Sequence, residues 1–130
     1  VIDACFEKKI SMPLHPEEDF TPRHVISVSS AALAYAREFA ESIGSVRGGS
    51  RIVSFDWATS IVIKSPEQPE RDLGAGLMLG AYRRDEVPVE ARRYADGLEF
   101  AVKIPTSVWS ARAEKFIDRD DTLYFKLVLR

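Results

Sequence analysis

Two stretches of strict alternation constrain the fold more than any other feature of the chain. Leu98, Phe100, Val102 and Ile104 alternate with Glu99, Ala101 and Lys103, and Leu123, Phe125, Leu127 and Leu129 follow the same pattern near the end. Successive side chains of a strand point to opposite faces, so a period of two predicts strands with one dry and one wet face. Further β-rich segments run from Val25 to Val28, Arg51 to Trp57, Ile61 to Lys64 and Gly76 to Tyr82.

Helical spacing is confined to two places. Leu33, Ala36, Ala40 and Ile43, flanked by Tyr35 and Phe39, form an apolar stripe with Arg37 and Glu41 on the wet side. Ser29 or Ser30 supplies the cap that opens this helix and Gly44 stops it. A shorter helix is expected after Pro105, with Trp109, Ala113, Phe116 and Ile117 on one side. One long helix is too few for the crossovers of a doubly wound sheet. The expected class is therefore α+β: a mixed or antiparallel β-sheet with one long and one short helix packed on one face.

At 130 residues the chain suits one domain, expected over 24–130, and its 45% hydrophobic and 29% charged composition is that of a globular protein. Residues 1–23 hold Pro13, Pro16 and Pro22 and the acidic run Glu17, Glu18, Asp19, and read as an extended arm. Its apolar points, among them Phe6 and Phe20, suit it to lie on the domain or on a partner. The only cysteine, Cys5, excludes an internal disulfide and a complete thiolate metal cage, which suggests a reducing compartment. No apolar run approaches the roughly 20 residues that span a bilayer, and Val1 to Lys9 lack the order of a signal peptide. A cytoplasmic location is the expectation, with no membrane contact.

Candidate chemistry is sparse. His15 and His24 flank the acidic run without a metal-ligand signature, and a solvated arm explains them. Gly74, Gly76 and Gly80 lack the spacing and following helix of a phosphate loop, and mark a strand start or a close backbone approach instead. The carboxylates of Asp118, Asp120 and Asp121 lack the glycine and distal glutamate of a calcium loop. Serines such as Ser54 lie in strands with no positioned base in sequence. Arg83, Arg84, Arg92 and Arg93, interleaved with Tyr82 and Tyr94, suit phosphate or an acidic protein face. Asp85, Glu86 and Glu90 dilute that patch, and the net charge of −2 argues against nucleic acid. Trp57 and Trp109 have the chemistry of interface anchors and equally of core residues.

The order of elements resembles the HesB/IscA-like (A-type iron–sulfur carrier) domain over roughly residues 25–120. The resemblance is carried by Ile26-Ser27-Val28-Ser29, the helix opening at Ala31-Ala32, Arg51-Ile52-Val53, Gly74-Ala75-Gly76 and Gly97-Leu98-Glu99-Phe100-Ala101-Val102. In that family three cysteines hold the cluster. This chain has none between Gly74 and Gly80 and no Cys-Gly-Cys tail, so the resemblance implies a scaffold without cluster chemistry.

The leading expectation is a non-enzymatic protein-interaction or regulatory module that needs no cofactor. Its partner would be another protein, with a homodimer as a variant through an exposed sheet edge. The contact residues would be Phe6, Phe20, Trp57, Arg83, Arg84, Arg92 and Arg93. The alternatives are a small-ligand or metal-binding protein using His15, His24 or nearby carboxylates, and an enzyme using a strand carboxylate such as Asp56 or Glu99.

Overall fold

The long helix, α1, spans Ser30–Ser42, and its bounds follow from local chemistry. The Ser29 hydroxyl accepts the Ala32 amide at 3.0 Å, which satisfies one of the free donors at the helix start. Beyond its C-terminus Gly44 adopts φ of 72°, which glycine tolerates without a Cβ clash. The structure, a computed structural model, describes residues 20–44, 51–121 and 126–130. Cys5, Phe6, His15, Glu17, Glu18, Asp19, Leu123 and Phe125 lie outside the described residues.

Strands follow in the order β1 Ser27–Val28, β2 Arg51–Ala58, β3 Val62–Ser65, β4 Gln68–Asp72, β5 Gly76–Arg83, β6 Arg93–Ala95, β7 Leu98–Lys103, β8 Phe116–Arg119 and β9 Leu127–Leu129. A second helix, α2, covers Thr106–Trp109. One sheet has the order β5-β2-β7-β6, a second β1-β8-β9, and β3 pairs with β4 alone. β2 runs antiparallel to β5 and parallel to β7, so the four-stranded sheet is mixed. The class is α+β, as the alternation predicts.

One face of the four-stranded sheet carries the main core. Val53 and Phe55 of β2 and Phe100 and Val102 of β7 pack there with Ala32, Leu33, Ala36 and Ala40 of α1 and with Ile117, Leu127 and Leu129 of the second sheet. Phe55 and Phe100 meet edge to face at 5.8 Å. Val108 and Trp109 of α2 join the same cluster, so both helices cover one face. No helix among the described residues is long and apolar enough to cross a membrane.

Two expectations need correction. The short helix stops at Trp109, and Phe116 and Ile117, assigned to its apolar side, belong to β8, which pairs with both β1 and β9. The second face of β7 is also not simply wet. Ala101 is fully buried there in a smaller cluster with Ile52, Val87 and Ala91, against which Phe20 and Tyr82 pack. The segment between β5 and β6 folds back over that face and covers it.

Candidate functional site

The four arginines of the connection between β5 and β6 have separate destinations. The Arg92 guanidinium donates to the carbonyls of Val87 at 3.0 Å and Arg84 at 2.9 Å, fastening two 3₁₀ turns over 84–86 and 89–91. Arg84 forms a two-pronged ion pair with Glu99, and the Tyr94 hydroxyl donates to the same carboxylate. Arg83 stays exposed and lies near Asp85 at 3.4 Å and Glu86 at 3.6 Å. Arg93 donates from Nη1 to the Ile26 carbonyl and from Nη2 to the Pro22 carbonyl at 2.8 Å. Arg84, Arg92 and Arg93 thus act as staples within the chain.

Arg93 has a further property. It is 7% exposed, and its Nε is buried without a hydrogen-bond acceptor among the described residues. A buried donor left unpaired is costly and calls for explanation. Burial pushes the guanidinium down to about 10, so it remains protonated at neutral pH. Among the described residues its hydrogen-bond partners are two carbonyls and no carboxylate.

Arg93 lines a cleft of about 570 Å³ between residues 23–28 and residues 92–95. β1 and β6, the outermost strands of their respective sheets, contribute its two walls. The floor is apolar, made by the buried side chains of Ile26, Leu33 and Phe100. The rim holds exposed Arg23 and His24, with Tyr94 at 69% exposure. Among the described residues of the lining, every ionisable side chain is Arg, His or Tyr and no Asp or Glu contributes. The cleft is therefore a cationic rim over an apolar floor, a combination that attracts an anion with apolar neighbours.

A second polar cluster lies on the opposite face of the sheet. The carboxylate of Asp56 accepts hydrogen bonds from the Ser54 hydroxyl at 2.6 Å and the Tyr82 hydroxyl at 2.8 Å. The Lys103 ammonium sits 5.1 Å from the Phe20 ring centre and 5.4 Å from that of Tyr82. Phe20 meets Tyr82 edge to face at 5.1 Å, and the neighbouring Thr21 hydroxyl both donates to the Ile104 carbonyl and accepts from the Ile104 amide. Ser54 is fully buried, so the hydroxyl of a Ser–Asp pair that resembles a nucleophile and its base is closed to a substrate. The arrangement anchors the chain at Phe20 and Thr21 across the end of β7.

Burial raises the pKa of Asp56 above its ordinary 3.8, against the opposing hydrogen bonds from Ser54 and Tyr82 and the charge of Lys103. Between 3.8 and the raised value the unfolded chain releases this proton while the folded chain keeps it, so Asp56 makes stability fall as pH rises. Asp56→Asn is expected to flatten that fall. Urea midpoints of both proteins at several pH values across the acid range would show it, and parallel curves would refute it.

Of the remaining residues singled out in sequence, Trp57 is partly buried against the main core with the Arg112 guanidinium 5.6 Å from its ring centre. Phe20 packs on the smaller cluster, and Glu99 is held by Arg84 and Tyr94. No group of three or more His, Cys, Asp or Glu side chains among the described residues converges as metal ligands would. The cleft was missed in sequence because β6 was missed. Its signal was present in Asp96-Gly97, a two-residue hairpin turn whose members both have positive φ, 52° and 77°.

No family model matches the chain, and neither a curated protein nor a solved structure matches it.

Proposed function

We propose that the chain is a non-enzymatic interaction module that holds an acidic segment of a partner protein in the cleft between β1 and β6. The observation that carries this reading is the lining, which among the described residues holds three arginines and a histidine without a carboxylate, one arginine keeping a buried and unpaired Nε. Arginine and tyrosine are among the residues most enriched where protein interfaces concentrate their energy, and exposed Arg23 and Tyr94 both line this cleft. Both strand carboxylates that would suit acid–base work are taken up by the chain's own donors, which favours binding over catalysis. A HesB/IscA-like scaffold without cluster ligands would fill the same kind of role. The setting we propose is the reducing cytoplasm, where Cys5 stays a thiol.

Fluorescence anisotropy with labelled ten-residue peptides tests the reading. Peptides mixing Glu or Asp with Val or Leu are expected to bind, and their basic counterparts are not. Affinity should fall with added salt, and placing negative charge on the rim with Arg23→Glu and His24→Glu should cost at least about tenfold, or 1.4 kcal/mol. Binding of citrate or phosphate with no peptide binding would replace the protein partner by a small anion.

A further inference from the structure

Resting on that reading of the cleft, we infer that the partner's segment docks as an extended strand along the free edge of β6, dividing its side chains alternately between apolar and acidic. β6 ends the order β5-β2-β7-β6, and among the described residues no strand pairs with its outer side. That side therefore keeps backbone donors and acceptors without a ladder partner, the template on which an extended peptide adds. The cleft lies along this edge, and Tyr94 and Ala95 of β6 both line it.

The pleat determines what the added strand must carry. Within β6, Arg93 stands opposite Phe100 and is buried, whereas Tyr94 stands opposite Glu99 and is exposed. A strand added beside β6 repeats this division, with one row of side chains on the face of Arg93, turned to the floor, and the other on the face of Tyr94, turned outward. The floor is Ile26, Leu33 and Phe100, all buried and apolar. The rim presents Arg23 and His24, both exposed. The inward row is accordingly Val, Ile or Leu, and the outward row is polar, with Asp or Glu favoured by the basic side chains at the cleft mouth, over about four or five residues. Beneath the segment the Arg93 guanidinium, tied to the carbonyls of Ile26 and Pro22, supplies positive charge that no carboxylate among the described residues of the cleft lining offsets.

The test uses the full chain and a ten-residue peptide of alternating Glu and Val. Methyl groups are placed on its backbone nitrogens one at a time. Alternate positions are expected to lose at least thirtyfold in affinity, and the intervening ones to change less than threefold. A peptide of the same composition with its Glu and Val in separate blocks is expected to bind at least tenfold more weakly. Hydrogen exchange in the complex should slow at a β6 amide between residues 93 and 95. Equal binding by all methylated peptides, or slowing at β1 with none at β6, overturns strand addition while leaving an acidic segment in the cleft. Absence of binding by every acidic peptide overturns both.

Discussion

Gly80→Ala is expected to destabilise the domain by about 3 kcal/mol, although alanine ordinarily suits a strand better than glycine. Gly80 lies in β5 opposite Ser54 of β2, and its backbone is not in the left-handed region. Dihedral preference therefore gives no reason for glycine here; the reason is the neighbour. A Cβ at this position would stand 2.8 Å from Oδ2 of Asp56, well inside contact distance. Asp56 has a short side chain, and both its oxygens are held, one by Ser54 and the other by Tyr82. Moving the carboxylate aside breaks the Tyr82 bond and leaves buried polar atoms short of partners, at about 1–3 kcal/mol, on top of the overpacking itself. A double-mutant cycle isolates the cause. In an Asp56→Ala background the same Gly80→Ala change should be neutral or mildly stabilising, since the atom it strikes is gone. Urea unfolding of the four proteins measures both values. An equal cost in the two backgrounds would show that something other than the carboxylate occupies the space.

That cluster also shows how far local pattern could reach. Asp56, Gly80, Tyr82 and Lys103 come from three strands, and only the ladder register places Asp56 opposite Met78 on one side and Lys103 on the other. Alternation located those strands within a residue or so, yet it carries no information about register between segments far apart in the chain. The arginines were obscured differently. Arg84, Arg92 and Arg93 look like a surface patch in sequence, because arginine is seldom buried, and two of the three spend their donors on backbone carbonyls, which every residue possesses. Phe116 and Ile117 misled through periodicity: with Trp109 and Ala113 they fit a helical stripe, but pairing with β1 and β9 overrides that local preference. Lys115, at φ of 52°, marks the reversal just before β8. Gln68–Asp72 forms β4 with almost no apolar residue to announce it. By contrast α1 was legible to its caps, because Ser29 and Gly44 act on their immediate neighbours.

Arg93→Met is expected to cost about 2 kcal/mol and to concentrate its effect at one place. The substitution keeps most of the apolar stem and removes the guanidinium, so packing of the stem on Phe100 is largely preserved while the carbonyls of Ile26 and Pro22 lose their charged donors. Two opposing terms decide the net value. Charge-assisted hydrogen bonds contribute about 1.5–3 kcal/mol each, while the chain is relieved of a buried cation whose depressed pKa reflects poor solvation. The bonds outweigh the relief because both acceptors would otherwise be left partly dry. The segment from Pro22 to Ile26 reaches the four-stranded sheet through this side chain, and immediately beyond it β1 pairs with β8 through a bond from the Ser27 amide to the Lys115 carbonyl at 3.1 Å. Loosening Arg93 should therefore accelerate exchange at the Ser27 and Ser29 amides far more than at β2 or β7, as local opening does. Arg93→Lys should fall between, because a single ammonium cannot match the planar fork that reaches two carbonyls. Uniform acceleration across the sheet would instead make Arg93 a contributor to global stability, and the wall of the cleft would then not depend on it.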